Sequence, residues 1–190
     1  MIIKQTSNPS FFPVELTEAK DALKIDFNTE DSLIDFYITA ATGLVEGYIH
    51  RDIIQRTYTA YADCFLNKME LTADLQSVSA IRYQDSDDAQ QTLATSVYKV
   101  DPHSLVGAVR LAYGQSWPST YNESNVVEID FTAGLATDSE STPAEIKQAI
   151  LLMVGTMFDH RDALIDEKMT GELPFPVKMA LNPYRIVNLG

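Results

Sequence analysis

A change in hydrophobic period divides this chain into three parts and limits what it can fold into. Apolar residues recur every three or four positions over 28–49 and again over 142–157, which is the spacing of one helix face. From 55 to 133, β-branched and aromatic residues alternate with polar ones, which is the period of strands. The pattern therefore predicts helices near both ends of the chain and a β segment between them.

Two helices are predicted before the β segment. The first covers 16–25 and has Thr17 as its cap. The second covers 28–49, with Asn28 or Thr29 as its cap and acidic residues in its first turn, where they meet the positive end of the helix dipole. Its apolar stripe consists of Ile34, Ile38, Ala41, Val45, Tyr48 and Ile49.

A third long helix is predicted after the β segment. Thr142 is a suitable N-cap, Pro143 fits the first helical position, and Glu145 completes a capping box. Its stripe consists of Ile146, Ala149, Ile150, Met153, Val154 and Met157. Beyond about residue 165, three prolines forbid a long helix and leave a single short turn near VKMAL.

Five stretches of the β segment are predicted as strands: RTYTAYADCF, VSAIRYQD, SVYKVD, GAVRLAYG and VVEIDFTAG. In the last of these, Val127, Ile129, Phe131 and Ala133 face one side. Turn-rich segments at 85–89 and 114–125 separate the strands and favour antiparallel hairpins.

The predicted fold class is α+β, a helical core of three main helices with an inserted small antiparallel β domain and an irregular C-terminal tail. The expected boundaries assign 1–54 and 136–170 to the core, 55–135 to the β domain and 171–190 to the tail.

The composition restricts the partners of the chain. Its 27 acidic and 14 basic residues give a net charge of −13, which disfavours tight binding to nucleic acid or to an anionic membrane. No apolar run approaches the length of a membrane span, and the N-terminus is a poor signal peptide, so we expect the chain to stay in the compartment where it is made. A single cysteine excludes an internal disulfide.

The tripeptide His-Arg-Asp, familiar from the catalytic loop of protein kinases, occurs at 50–52 and at 160–162. A kinase needs an asparagine five residues after the aspartate, where this chain has Thr57 and Glu167, and it needs glycine-rich and DFG motifs that the sequence lacks. Basic residues at a helix C-terminus meet its negative dipole end. We therefore predict that neither copy is catalytic and that the protein is not an enzyme.

Other candidate sites are also given structural interpretations. An EF-hand loop starting at Asp85 would need glycine at 90 and glutamate at 96, where the chain has Gln90 and Ser96, so a solvated hairpin turn is predicted. Cys64 follows an alternating strand pattern and is predicted to be buried. No metal, cofactor or catalytic site is predicted, although a site assembled from distant residues stays open.

The stretch LTEAKDALKIDFNTEDSLIDFYITAATGLVEGYIHRDIIQRTY resembles the opening of the head–tail connector (adaptor) proteins of tailed double-stranded DNA bacteriophages. The matching positions are Leu16, Ala22, Leu23, Asp26, Asp31, Glu46, Tyr48 and Arg51. The stretches SVSAIRYQDSDDAQQTLATSVYKVD, WPSTYNESNVVEIDFTAG, TPAEIKQAILLMVGTMFDHRD and LNPYR are also similar to later parts of these proteins, so the resemblance covers nearly the whole chain.

The resemblance implies a structural virion protein that forms a ring, typically of twelve subunits, beneath the portal protein. Such a ring is assembled in the host cytoplasm and lies in the virion neck, where it extends the DNA channel toward a tail-completion or stopper protein. DNA would pass through without specific binding, and no membrane, enzymatic step or cofactor is implied. Two alternatives stay open: a stopper or tail terminator of the neck, and an acidic soluble enzyme or ligand-binding module.

The C-terminal tail is the predicted interface. It is rich in apolar residues, unlike a free disordered tail, so it should pack against something. One alternative is packing on its own helical core, and the other is docking of its last part on the portal or a neighbouring subunit. The interface residues in the second case are Pro183, Tyr184, Arg185, Ile186, Val187 and Leu189.

Overall fold

A computed structural model describes residues 1–9, 11–159 and 173–186 of the chain. Its helices are α1 (Leu16–Leu23), α2 (Asp31–Ile49), α3 (Ala144–Asp159) and α4 (Phe175–Leu181), followed by a 3-10 turn over Asn182–Tyr184. Its strands are β1 (Ile2–Gln5), β2 (Arg56–Ala62), β3 (Lys68–Glu70), β4 (Leu75–Gln84), β5 (Gln90–Thr92), β6 (Tyr98–Asp101), β7 (Ala108–Leu111) and β8 (Val127–Ala133).

These elements form two compact units. The β unit combines Met1–Ser10 with Gln55–Leu135, and the helical unit combines Phe11–Ile54 with Ala136–Gly190. The predicted α+β class, with antiparallel sheets inserted between helical parts, is therefore confirmed. The grouping of 1–54 differs in one respect, because β1 pairs with β2 and so belongs to the β unit.

The β unit contains a five-stranded antiparallel sheet in the order β1-β2-β8-β4-β5. Strand β8 lies at its centre and pairs with β2 and β4. The predicted alternation of β8 is confirmed, since Val127, Ile129, Phe131 and Ala133 are all at most 1% exposed. Phe131 stacks on Tyr58 of the facing position in β2, with ring centroids 5.4 Å apart.

The remaining strands of the β unit form a three-stranded antiparallel sheet in the order β3-β7-β6. All five predicted strands are present, whereas the short strands β1, β3 and β5 were not predicted. Strands β3 and β5 have only three residues each, so they show too little alternation for a period to be recognised.

The β4–β5 hairpin turn confirms the structural interpretation of the aspartate-rich loop. The Asp85 carboxylate accepts hydrogen bonds from the backbone N–H groups of Asp87 and Ala89, both at 3.0 Å, and from the Gln91 amide at 2.8 Å. The Gln91 amide and then the Ala89 N–H hold the pKa of Asp85 below its usual range. This side chain therefore organises the turn.

The buried position predicted for Cys64 is wrong, because this residue is exposed. Strand β2 ends at Ala62, two residues earlier, and the alternation of its side chains ends there too. A period read from sequence does not mark the residue at which a strand leaves its sheet.

In the helical unit, α2 packs against α3, and α1 contacts both of them. The predicted stripes form the core of this unit, except that Tyr48 and Met157 are only half-buried. Thr42 adds a buried hydroxyl to α2, and it donates to the Ile38 carbonyl at 2.7 Å. That bond satisfies the hydroxyl inside the core.

The predicted caps of the first two helices are wrong. Glu15 precedes α1, and its backbone N–H donates to the Glu18 carboxylate at 2.8 Å. Glu30 precedes α2, whereas the Asn28 side chain accepts a hydrogen bond from Lys20 Nζ at 2.6 Å. Lys20 also binds Asp31 at 2.8 Å, so a contact with α1 occupies the side chain that was expected to cap α2.

The third helix also begins differently from its prediction. Its first residue is Ala144, and the Pro143 carbonyl accepts from the N–H groups of Ile146 and Lys147. The Thr142 hydroxyl donates to the Asp138 carbonyl at 3.2 Å, and the Thr142 N–H donates to Ser139. The Thr142 N–H therefore binds Ser139 and not the Glu145 carboxylate, as a Thr142–Glu145 capping box would need.

Candidate assembly interface

The described part of the predicted interface is the C-terminal segment, defined here as Asn182–Ile186. It follows α4, the short helix predicted near VKMAL, which buries Val177 and Leu181 on the helical unit. The side chain of Asn182 accepts a hydrogen bond from the Tyr48 hydroxyl at 2.8 Å. At the other end, the Ile186 N–H donates to the Ile49 carbonyl at 2.9 Å, and the Ile186 side chain is 8% exposed.

Arg185 and Tyr184 provide further contacts between these two ends. The Arg185 guanidinium lies 4.8 Å from the centre of the Tyr48 ring, a cation–π contact. The Tyr184 carbonyl accepts from Arg51 Nη1 at 3.2 Å, and its hydroxyl donates to Glu145 Oε2 at 2.8 Å. The segment is thus attached to both α2 and α3 through side chains and backbone.

The structure brings together Tyr184, Arg185 and Ile186, all of which lie on the helical unit of their own chain. Of the predicted interface residues, Pro183 and Arg185 are exposed, Tyr184 is half-buried and Ile186 is buried. Val187 and Leu189 lie outside the described residues. The available surface of the segment is therefore Pro183, Arg185, the exposed part of Asn182 and the visible part of the Tyr184 ring.

The first His-Arg-Asp tripeptide contributes to this arrangement. His50 ends α2 in the left-handed conformation, with φ 55°, and Arg51 donates to the C-terminal segment. The second tripeptide, 160–162, lies outside the described residues. Within the parts that are described, no three His, Cys, Asp or Glu side chains are grouped to hold a metal ion.

Sequence reasoning missed a pocket of about 460 Å³ in the helical unit, named here the Phe12 pocket. Its apolar lining includes Phe11, Phe12 and Ile38, and its polar lining includes Glu15, Asp35 and Asp138. The Ser141 N–H, above all, keeps the pKa of Asp138 below its usual range, so this carboxylate is charged at neutral pH. The aromatic doublet before Pro13 was the only available signal in the sequence.

Comparison with protein families gives one decisive match. Residues 14–187 match the family model described as head completion protein. The chain belongs to the head completion protein family. Because this match covers both units, the resemblance to head–tail connector proteins of phages is confirmed at the level of the family. No curated protein sequence matches this head completion protein.

Solved structures of similar fold come from gene transfer agent (GTA) particles. A chain in the neck of an empty GTA particle, computed with C6 symmetry, superposes with a TM-score of 0.80 at 21% identity. A chain in the virion of a native particle gives 0.78 at 22%, and one in a native neck computed with C12 symmetry gives 0.77 at 19%. In each case the match covers 100% of this head completion protein and 98% of the other chain.

Among the described residues, none of the helices combines the length and the apolar character needed to cross a bilayer.

Proposed function

We propose that this head completion protein is a structural component of the virion neck, where its copies form a ring beneath the portal. The ring extends the DNA channel and joins the head to a tail-completion or stopper protein. The observation that carries this proposal is the whole-chain fold similarity to the neck chain of the GTA particle, with a TM-score of 0.80. A ring of twelve copies is favoured because one similar chain belongs to a neck computed with C12 symmetry.

The charge of the chain supports a conduit for DNA. With a net charge of −13, each copy repels phosphate, and a ring multiplies that repulsion around the channel. DNA therefore slides through the ring without being held, since tight binding needs many Lys and Arg contacts with phosphates.

The C-terminal segment and the residues after it are proposed to dock on the portal or on a neighbouring subunit. Pro183 and Arg185 are exposed, and Tyr184 and Arg185 are residue types enriched at interface hot spots. The contacts of the segment with α2 and α3 hold these side chains in one arrangement before binding, which reduces the entropy lost on docking.

The ring is tested by adding the purified protein to portal-containing heads that lack it. We expect negative-stain images to show a ring at the portal vertex, and native mass spectrometry of the detached neck to give a multiple of the chain mass near twelve. Free protein is expected to be mostly monomeric, because weak contacts become effective when a template presents many sites. Heads that gain no neck, or tight salt-sensitive binding of duplex DNA by the protein, would contradict the proposal.

A further inference from the structure

Helix α4 exposes an apolar face that has no cover in the described part of the chain. Phe175 and Met179 are four residues apart and lie on the same side of the helix. They are 74% and 59% exposed, whereas Val177 and Leu181 are buried against the helical unit. Two large apolar side chains side by side on a surface form a candidate contact surface.

The segment that carries this face is basic, although the protein as a whole is acidic. Residues 175–186 contain Lys178 and Arg185 and no acidic residue. The Phe12 pocket has the opposite character, since it is lined by Glu15, Asp35 and Asp138 and by neither lysine nor arginine among the described residues. The basic apolar segment 175–186 and the acidic apolar pocket are complementary in both charge and polarity.

The two surfaces are separate on the chain, because none of the residues lining the Phe12 pocket comes from α4 or the C-terminal segment. A contact between two different surfaces of identical chains is heterologous, and its repetition gives a ring when the rotation between copies closes and an open filament when it does not. The pocket, at about 460 Å³, has the volume of a typical binding site and can hold an aromatic side chain.

We propose that the Phe175–Met179 face of α4 on one copy docks into the Phe12 pocket of a second copy. This proposal rests on the ring proposed above and gives that ring one of its subunit contacts. Phe175 enters beside Phe11 and Phe12, and the positive charge of Lys178 and Arg185 faces the carboxylates of the pocket. At this contact, opposite charges face each other, whereas most other pairings of so acidic a chain bring like charges together.

Disulfide trapping between two differently tagged copies tests this contact. Cys64, which is exposed, is first replaced by Ser so that it does not form unrelated disulfides. One copy then carries Met179→Cys and the other Phe12→Cys, and they are assembled on heads and oxidised with oxidised glutathione, which converts two thiols into a disulfide. We expect a mixed disulfide dimer in the combined sample and little dimer when either copy is present alone.

Two further variants control for position and folding. Leu105→Cys, at a residue 69% exposed in the β unit, replaces Met179→Cys as a matched exposed thiol. Thr17→Cys, also in the lining of the pocket, replaces Phe12→Cys if loss of the aromatic ring disturbs the fold. The proposal is overturned if Met179→Cys forms no more mixed dimer than Leu105→Cys does, with Phe12→Cys and with Thr17→Cys alike. It is also overturned if Met179→Cys forms a dimer without the copy that carries the pocket thiol.

The same heads separate this result from failure of the ring itself. If the protein with Cys64→Ser alone forms a neck on the heads but the α4 and pocket thiols do not pair, the ring stands and its contact is elsewhere. If that protein forms no neck, the proposed function fails first, and the thiols are then compared in concentrated free protein. If Met179→Cys forms no more mixed dimer than the Leu105→Cys control in that sample, the proposed contact is overturned as well.

Discussion

Tyr184 donates its hydroxyl to Glu145 Oε2 over 2.8 Å, which ties the C-terminal segment to the first turn of α3. The interaction favours an ionised carboxylate and a protonated phenol. The pKa of the Glu145 carboxyl lies below its usual range. The first cause is a hydrogen bond from its own backbone N–H, and the second is the hydrogen bond from Tyr184. The pKa of Tyr184 is raised, with the bond to Glu145 as the main cause.

We expect Tyr184→Phe to lower the melting temperature slightly at neutral pH, because it removes the hydroxyl and keeps the ring. A carboxyl with a lowered folded pKa contributes stability above its unfolded pKa, near 4.5, and loses it as the pH falls through the folded pKa. Thermal melts of the two proteins should therefore converge in acid below that value. A constant difference at every pH would show that Glu145 is not the partner that matters.

Replacement of His50 tests the structural interpretation of the first His-Arg-Asp tripeptide. His50 has φ 55°, a conformation that glycine adopts without strain, so His50→Gly should stabilise the protein by up to about 1 kcal/mol. His50→Ala keeps the strain and should be nearly neutral. Urea unfolding measures both variants, and neither should impair assembly on heads. A phosphotransferase activity lost in either variant would refute the structural role.

Gly107 in the β unit should tolerate a side chain poorly. A Cβ added there would lie 2.2 Å from the Leu75 Cβ, and its backbone is fixed by hydrogen bonds with Leu71 and Thr72, both at 2.8 Å. Gly107→Ala should therefore destabilise the protein by at least the roughly 1–3 kcal/mol of an overpacked core.

The matched control is Gly43→Ala on α2, where an added Cβ has nothing within 4 Å. An alanine in the middle of a helix is more stable than a glycine by about 0.5–1 kcal/mol, so this variant should be stabilised. Denaturant midpoints that shift in opposite directions would confirm both expectations. Equal shifts would mean that the space around Gly107 is not what limits its substitution.

Truncation tests docking of the tail, and two end points are needed. Removal of everything after Ile186 keeps the contacts of Tyr184, Arg185 and Ile186, so the protein should keep its melting temperature. Removal of everything after Asn182 also deletes those contacts and should lower it. We expect both shortened proteins to join portal-containing heads less well than the full chain. If the protein ending at Ile186 joins them equally well, Val187 and Leu189 do not contribute to docking.

The sequence by itself determined the elements in which a pattern repeats several times. The stripes of α2 and α3 and the alternation of β8 were predicted correctly because burial of one face favours the same period over many residues. The net charge follows directly from the composition. The aspartate-rich turn was also predictable, because its hydrogen bonds join residues that are close in the chain. The resemblance to a phage family added the expectation of a ring, which no local pattern contains.

Tertiary structure alone decided the features that depend on one contact between distant residues. The Asn28 side chain binds Lys20 instead of capping α2. Residues Ile2–Gln5 form a strand because they pair with β2. The docking of Ile186 on Ile49 and the exposure of α4 likewise follow from packing. Such contacts leave no period in the sequence, because a single partner elsewhere in the chain determines each of them.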